Sequence, residues 1–293
     1  MRRTIPIAAL LVVSALLLSG CSAGQQVDDG LIGVVASTNV YGDIAETIGG
    51  DLVTVTSLIS DPSQDPHSFE GDARDQLALS NADLVIENGG GYDDFLGTLL
   101  SGAGNDDVRV IDAVDLSGYP EDGLNEHVWF DLPTMRSLAQ ALAAGYTELA
   151  PDSGNVFAAH LAEFEAGLVD LEAKEKAVAA DGAGVVMTEP VAGYLLEATG
   201  FTDLTPPRFS AAIEAETDVP PVVLQQTLDL VRSDRVRLLV YNEQTTGAAT
   251  DRVLAAAKVA GLPVVAVGET LPGGIHYLDW IGATVDAVAS ARR

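Results

Sequence analysis

The sequence predicts an α/β protein of two βα lobes with mainly parallel sheets, joined by one long α-helix. Three observations carry that expectation. From residue 31 to residue 111, short runs rich in Val, Ile and Thr alternate with runs whose apolar residues recur at helical spacing, the pattern of successive βα units. A far longer amphipathic run follows at 153–180, and after Asp181-Gly182 the short alternation resumes to the C-terminus.

In the first lobe, strands are expected at 31–37, 52–59, 83–88 and 108–111, with helices at 41–48, 72–80 and 92–100 between them. Pro133 fits the first turn of a helix reaching Leu149, because its missing N–H is unpaired there in any case. Pro151-Asp152 opens the long helix, whose apolar positions Val156, Leu161, Phe164, Leu168, Leu171 and Val178 form one face with charges opposite. Such a helix suits a span along two lobes. In the second lobe, strands are expected at 184–188, 236–241 and 262–267, with helices at 194–199, 220–232, 250–260 and 277–289. The lobe boundaries are therefore 31–150 and 182–293, with the linking helix at 151–181.

Residues 1–20 read as an export signal: Met1-Arg2-Arg3 is a positive start, and the apolar run from 5 to 18 is short for a bilayer span and followed by small residues. Leu18-Ser19-Gly20-Cys21 resembles the bacterial lipobox, in which the cysteine is lipidated and becomes the first mature residue; an ordinary signal cleaved near Ala23 is the alternative. Cys21 is the only cysteine, which excludes an intramolecular disulfide and a cysteine-rich zinc site. Residues 21–30 are small and polar, as a tether requires. The expected location is the extracytoplasmic face of the cell membrane, held by a lipid anchor. The formal net charge of −28 becomes two units more negative when Arg2 and Arg3 leave with the signal. That field repels nucleic acid and attracts cations. A 47% hydrophobic content sets the chain among globular rather than disordered proteins.

Ligands in open α/β folds gather beyond the carboxyl ends of strands, and four residues stand out, three just after strands and His127 just before a helix. His67 lies in Asp61-Pro62-Ser63-Gln64-Asp65-Pro66-His67, where two prolines stiffen the loop after a strand. His127 precedes a helix, Glu189 follows Val185-Val186-Met187-Thr188, and Glu269 follows Val264-Val265-Ala266-Val267-Gly268. Two come from each lobe. Two imidazoles and two carboxylates neutralise a divalent cation, and the nitrogen and oxygen mix fits a first-row metal rather than copper(I) or an iron–sulfur cluster. Each has a plainer reading: capping or core histidines, an acid at a helix start for Glu189, and a solvated turn for Glu269.

The segments Asp65-Pro66-His67-Ser68-Phe69-Glu70, His127-Val128-Trp129-Phe130-Asp131, Gly193-Tyr194 and Tyr241-Asn242-Glu243 resemble the zinc/manganese solute-binding lipoproteins of ABC importers, over essentially the whole mature chain. The resemblance implies a bilobal monomer that binds one metal in its cleft and delivers it to an ABC permease subunit. Its four ligand positions fall on His67, His127, Glu189 and Glu269. The third is His or Glu in different members, with Glu associated with manganese or iron, and the fourth is usually Asp, so Glu269 is one methylene longer. Gly71 and Leu132 stand where the family usually has Pro. The histidine-rich loop of many zinc importers is absent, replaced by a stretch carrying Asp115, Glu121, Asp122 and Glu126. Mn2+ is the expected cargo, with Zn2+ and Fe2+ as alternatives.

Other residues receive lesser expectations. Glu243 is placed near the cleft as a supporting or hinge residue, Asp65 and Asp131 as groups orienting the imidazoles, and Trp129 as packing behind the site. His160 is expected on an exposed helix face, and His276 as an alternative ligand. Two other classes compete: a mononuclear metalloenzyme of the two-His-carboxylate type, and a metal-carrying surface adhesin. Against an enzyme stand the absence of Gly-x-Ser-x-Gly, of His-Glu-x-x-His and of an obvious unliganded base. The long helix is expected to limit lobe opening, so that release depends on small local motions.

Overall fold

Strands buried on both faces of a sheet need nearly continuous apolar runs, and β1 (Ile32–Thr38) and β3 (Leu84–Glu87) have them. In β2 (Val53–Ile59) Thr54 and Thr56 face solvent between partly buried neighbours, as fits an edge strand. The computed structural model describes residues 30–62 and 66–291, except the side chain of His67; the export signal, Cys21 and Asp65 lie outside the described residues.

In the first half, α1 (Asn39–Gly49) follows β1, α2 (Ala73–Ser80) follows β2, and α3 (Phe95–Ala103) follows β3. β4 (Arg109–Asp112) leads into α4 (Ala113–Ser117), α5 (Leu132–Leu149) and the long α6 (Gly154–Val178). The second half holds β5 (Gly184–Met187), α7 (Gly193–Ala198), β6 (Thr202–Asp203), α8 (Pro207–Glu214), α9 (Pro221–Val231), β7 (Val236–Asn242), α10 (Ala248–Ala260), β8 (Val264–Val267) and α11 (Tyr277–Ala291). The sheets run β2-β1-β3-β4 and β6-β5-β7-β8, and every strand pairing among the described residues is parallel. Strand order therefore reverses between β1 and β3 and again between β5 and β7, the places where such sheets open a crevice.

At about 1.5 Å per residue, the 25 residues of α6 span roughly 38 Å. It packs on α1, α5, α7 and α11, with α5 alongside it through Gln140–Glu165 and Arg136–Glu172. Gly167 allows the α11 approach: a Cβ there would sit 2.5 Å from Leu278 Cδ1. The buried face carries Phe157, Phe164, Leu168, Leu171 and Val178, whereas Val156 is 36% exposed. The expected apolar stripe was thus one residue out at its start. His160, expected to be exposed, is half-buried, with Nδ1 3.1 Å from the Ile48 carbonyl and its ring over Gly50. One apolar cluster runs from Ile32 and Val34 through Phe164 and Leu168 to Leu238 and Val288, so the halves share a core. Both sheets fall in one compact unit, Leu31–Arg293. Phe164→Ala is expected to cost about 3–5 kcal/mol, read as one cooperative shift in a urea titration.

Three short elements escaped the sequence reading: α4, β6 and α8. α4 and β6 are too short for a period to register, and α8 is opened by Pro206-Pro207. α3 also begins three residues later than expected, because Gly89, Gly90 and Gly91 all take positive φ and carry the chain through a turn in which Tyr92 is buried. No helix among the described residues is long and apolar enough to cross a membrane.

Candidate metal centre

The carboxyl ends of the two sheets supply the centre. Glu189 stands two residues beyond β5 and is 1% exposed; Glu269 stands two beyond β8 and is 0% exposed. His127, also 0% exposed, caps a short turn, Val128–Phe130, ahead of α5. Its Nε2 lies 3.9 Å from Glu269 Oε2, so a residue from each half meets here. Glu269 is not a solvated turn. His67 follows β2 in a turn, Pro66–Ser68, and its side chain is not among those described.

The tautomer of His127 follows from its neighbours. Asn125 Nδ2 donates to the Pro190 carbonyl at 2.9 Å, which settles which end of that amide is oxygen. Asn125 Oδ1 then faces His127 Nδ1 at 2.6 Å, and only a protonated Nδ1 can donate to it. In the neutral ring the lone pair is then on Nε2, the arrangement a metal-ligating histidine adopts when its other nitrogen is held by an oxygen. Asn88, just past β3, donates to the Glu126 carbonyl at 3.0 Å and so fixes the segment carrying the ring. Trp129 is fully buried with its ring centroid 5.1 Å from that of His127, packing behind it as expected.

The carboxylates are held by amides and a phenol. Asn242 Nδ2 donates to Glu189 Oε2 and, at 2.8 Å, to Glu269 Oε1, so one side chain ties the two acids together. Gln244 Oε1 accepts the Glu269 backbone N–H, and Tyr92 donates its hydroxyl to Glu269 Oε2 at 3.0 Å. Burial first, and then the Glu269 charge, hold the Tyr92 phenol well above its usual pKa, so it remains a donor.

Glu214 is an acid that the sequence reading missed. Donor atoms of Glu126, His127 and Glu214 all lie within 4.8 Å of one another. Burial pushes the Glu214 carboxyl up to about 8, with Glu126, Glu189 and Glu269 adding repulsion. Four carboxylates thus gather about one imidazole, a concentration of negative charge that either takes up protons or holds a cation. The only sequence signal was the acidic run Glu214-Ala215-Glu216-Thr217-Asp218.

Three lesser expectations are corrected. Glu243 is exposed, and its neighbour Asn242 does the work at the centre, because adjacent strand residues face opposite sides. Asp131 caps α5 through Thr134, at 3.0 Å to its N–H, and Asn125 orients the imidazole in its place. His276 is no ligand here: its side chain is 77% exposed and pairs with Asp43 at 2.6 Å, in a contact that raises its pKa.

Burial of acids has a consequence for the metal-free protein. Burial pushes Glu87 and Glu175 up to about 7, helped by Asp93 and Asp112 for the first and by Glu172 and Asp131 for the second. Each folded-state pKa exceeds its unfolded value, so the native state binds more protons above about pH 4.5 and stability falls as pH rises toward 7, or toward 8 for Glu214. Thermal melts in chelator should give a higher Tm at pH 5.5 than at pH 8; a lower one would contradict this reading.

A pair of parallel βα sheets whose strand ends converge on an imidazole and several buried carboxylates defines a two-lobed cation-binding protein. The chain belongs to the family described as zinc-uptake complex component A, periplasmic (ZnuA), whose match covers residues 34–291. It is 27% identical over 247 residues to the manganese-binding lipoprotein MntA of Halalkalibacterium halodurans, covering 75% of this chain and 80% of that one. It is 26% identical over 247 residues to the manganese ABC transporter substrate-binding lipoprotein PsaA of Streptococcus mitis, covering 78% of each. The fold is that of the periplasmic zinc-binding protein TroA from Treponema pallidum, with a TM-score of 0.74, 20% identity, and coverage of 90% of this chain and 99% of that one.

Proposed function

We propose that this chain is the solute-binding lipoprotein of an ABC importer, capturing a divalent transition metal between its lobes and delivering it to the permease. The observation that carries the reading is His127 Nε2, its lone pair set by Asn125, facing a buried Glu269 that Asn242 ties to Glu189. His67, His127, Glu189 and Glu269 are the proposed ligands, with His67 closing the set from the loop after β2. Lobes at 31–150 and 182–293, with the segment 151–181 between them, each contribute two. Cys21 is the proposed lipid attachment site, placing the protein as a monomer on the extracytoplasmic face of the membrane.

Mn2+ is the favoured cargo, since two carboxylates can each offer one or two oxygens and raise the coordination number beyond four; Zn2+ and Fe2+ are the alternatives. Raw affinity follows the ligand-field order and does not reveal the cargo. Release by small motions is supported by the shared core and by a clasp across the lobes, in which Asn39 Nδ2 donates to the Leu271 carbonyl and Leu271 N donates to Asn39 Oδ1, both at 2.9 Å.

The test is metal-induced stabilisation of untagged, chelator-stripped protein. Mn2+ at about 100 times its Kd should add about 2.7 kcal/mol of stability, and Mg2+ at the same concentration almost none. Equal shifts with Mg2+ and Mn2+, or none with Mn2+, Zn2+ and Fe2+, would overturn the proposal.

A further inference from the structure

We infer that Glu214 supplies a further oxygen ligand to the cation held at His127, and that this donor favours Mn2+ over Zn2+. The inference rests on the proposed site and adds a residue outside its four positions. Ligands on opposite sides of one manganese ion, each bonded at roughly 2.2 Å, are about 4.4 Å apart. The donor atoms of Glu126, His127 and Glu214 already lie within 4.8 Å of one another, and Glu269 Oε2 is 3.9 Å from His127 Nε2. Glu214 thus lies within reach of the imidazole, and a side-chain shift toward Nε2 would place its carboxylate on the same ion as Glu269.

The placement of Glu214 is otherwise unfavourable. It is the last residue of α8, where the helix dipole presents partial negative charge and a carboxylate is repelled. It is half-buried, close to a second acid, and no lysine or arginine among the described residues forms an ion pair with Glu126 or Glu214. A bound cation would satisfy both acids at once. The imidazole in the group is fully buried and oriented by Asn125, which separates it from a solvated patch of acids. An added carboxylate oxygen takes the donor set past the four that a tetrahedral zinc centre uses, toward the oxygen-rich shell that manganese accepts.

Glu214→Gln keeps the shape and removes the charge. Full-length protein would be stripped and titrated with Mn2+ and Zn2+ against a chelator, with the Mn2+ electron paramagnetic resonance spectrum recorded in parallel. Mn2+ affinity should fall by about 10-fold or more, the scale seen when groups supporting a metal centre are lost. Zn2+ affinity should fall less, and the Mn2+ hyperfine pattern should change. An unchanged Mn2+ affinity and spectrum, or equal losses for both ions, overturns the inference. His127→Ala separates the two levels: if it abolishes binding while Glu214→Gln does nothing, the proposed site stands and Glu214 is no ligand. If both variants bind as the parent does, the site itself is wrong.

Discussion

His127→Ala is expected to remove metal-dependent stabilisation altogether. The imidazole is the one nitrogen donor whose position and tautomer are both set by described neighbours, with Asn125 on Nδ1 and Nε2 turned toward Glu269. Alanine would leave His67 as the sole proposed nitrogen donor beside the acids, a set on which the preference for transition metals over Mg2+ weakens. The loss should equal the whole effect in the parent, about 2.7 kcal/mol at 100 times its Kd. The metal-free variant must still melt cooperatively for the result to count, and Asn125→Ala, which frees the tautomer while sparing the ligand, should weaken binding by about 10- to 100-fold. Retention of the full Mn2+ shift in His127→Ala would end the case for this centre.

Asn242→Asp should have the largest effect on the protein without metal. The Asn242 amide donates to Glu189 and Glu269, whose carboxylates are almost wholly buried. Aspartate keeps the size, withdraws both donors and adds a further carboxylate to a buried site. Breaking a buried polar arrangement in this way costs about 3–5 kcal/mol. Because protonation relieves like-charge repulsion, the deficit should be smaller at pH 5 than at pH 8, and saturating Mn2+ should recover part of it. Urea denaturation at the two pH values reads both effects. A variant as stable as the parent at pH 8 would show that Asn242 does not hold the two acids together.

Much of this was legible in the chain itself. Apolar runs in strands buried on both faces, a long stretch at helical spacing and acids just past strand ends are local patterns, so the α/β class, the order of the main elements and 189 and 269 as candidate positions could be read directly. The supporting groups could not. Asn125, Asn242 and Gln244 are ordinary amides until the fold brings residues 65, 53 and 25 positions away against them. The choice between Asn242 and Glu243 turned on strand phase, and that between Val156 and Phe157 on a single 100° helical step, which short patterns do not resolve.

The sequence by itself therefore determined most of the elements and a set of candidate cation ligands, because period, proline placement and residue chemistry act over a few neighbouring positions. Only the tertiary structure decided which of them meet. It buried Glu269, turned His276 out to Asp43, fixed the proton of His127 through Asn125 and brought Glu214 from an unrecognised helix to the same imidazole. Those outcomes depend on distances across the two sheets, set by a core shared between lobes, and no local pattern encodes them.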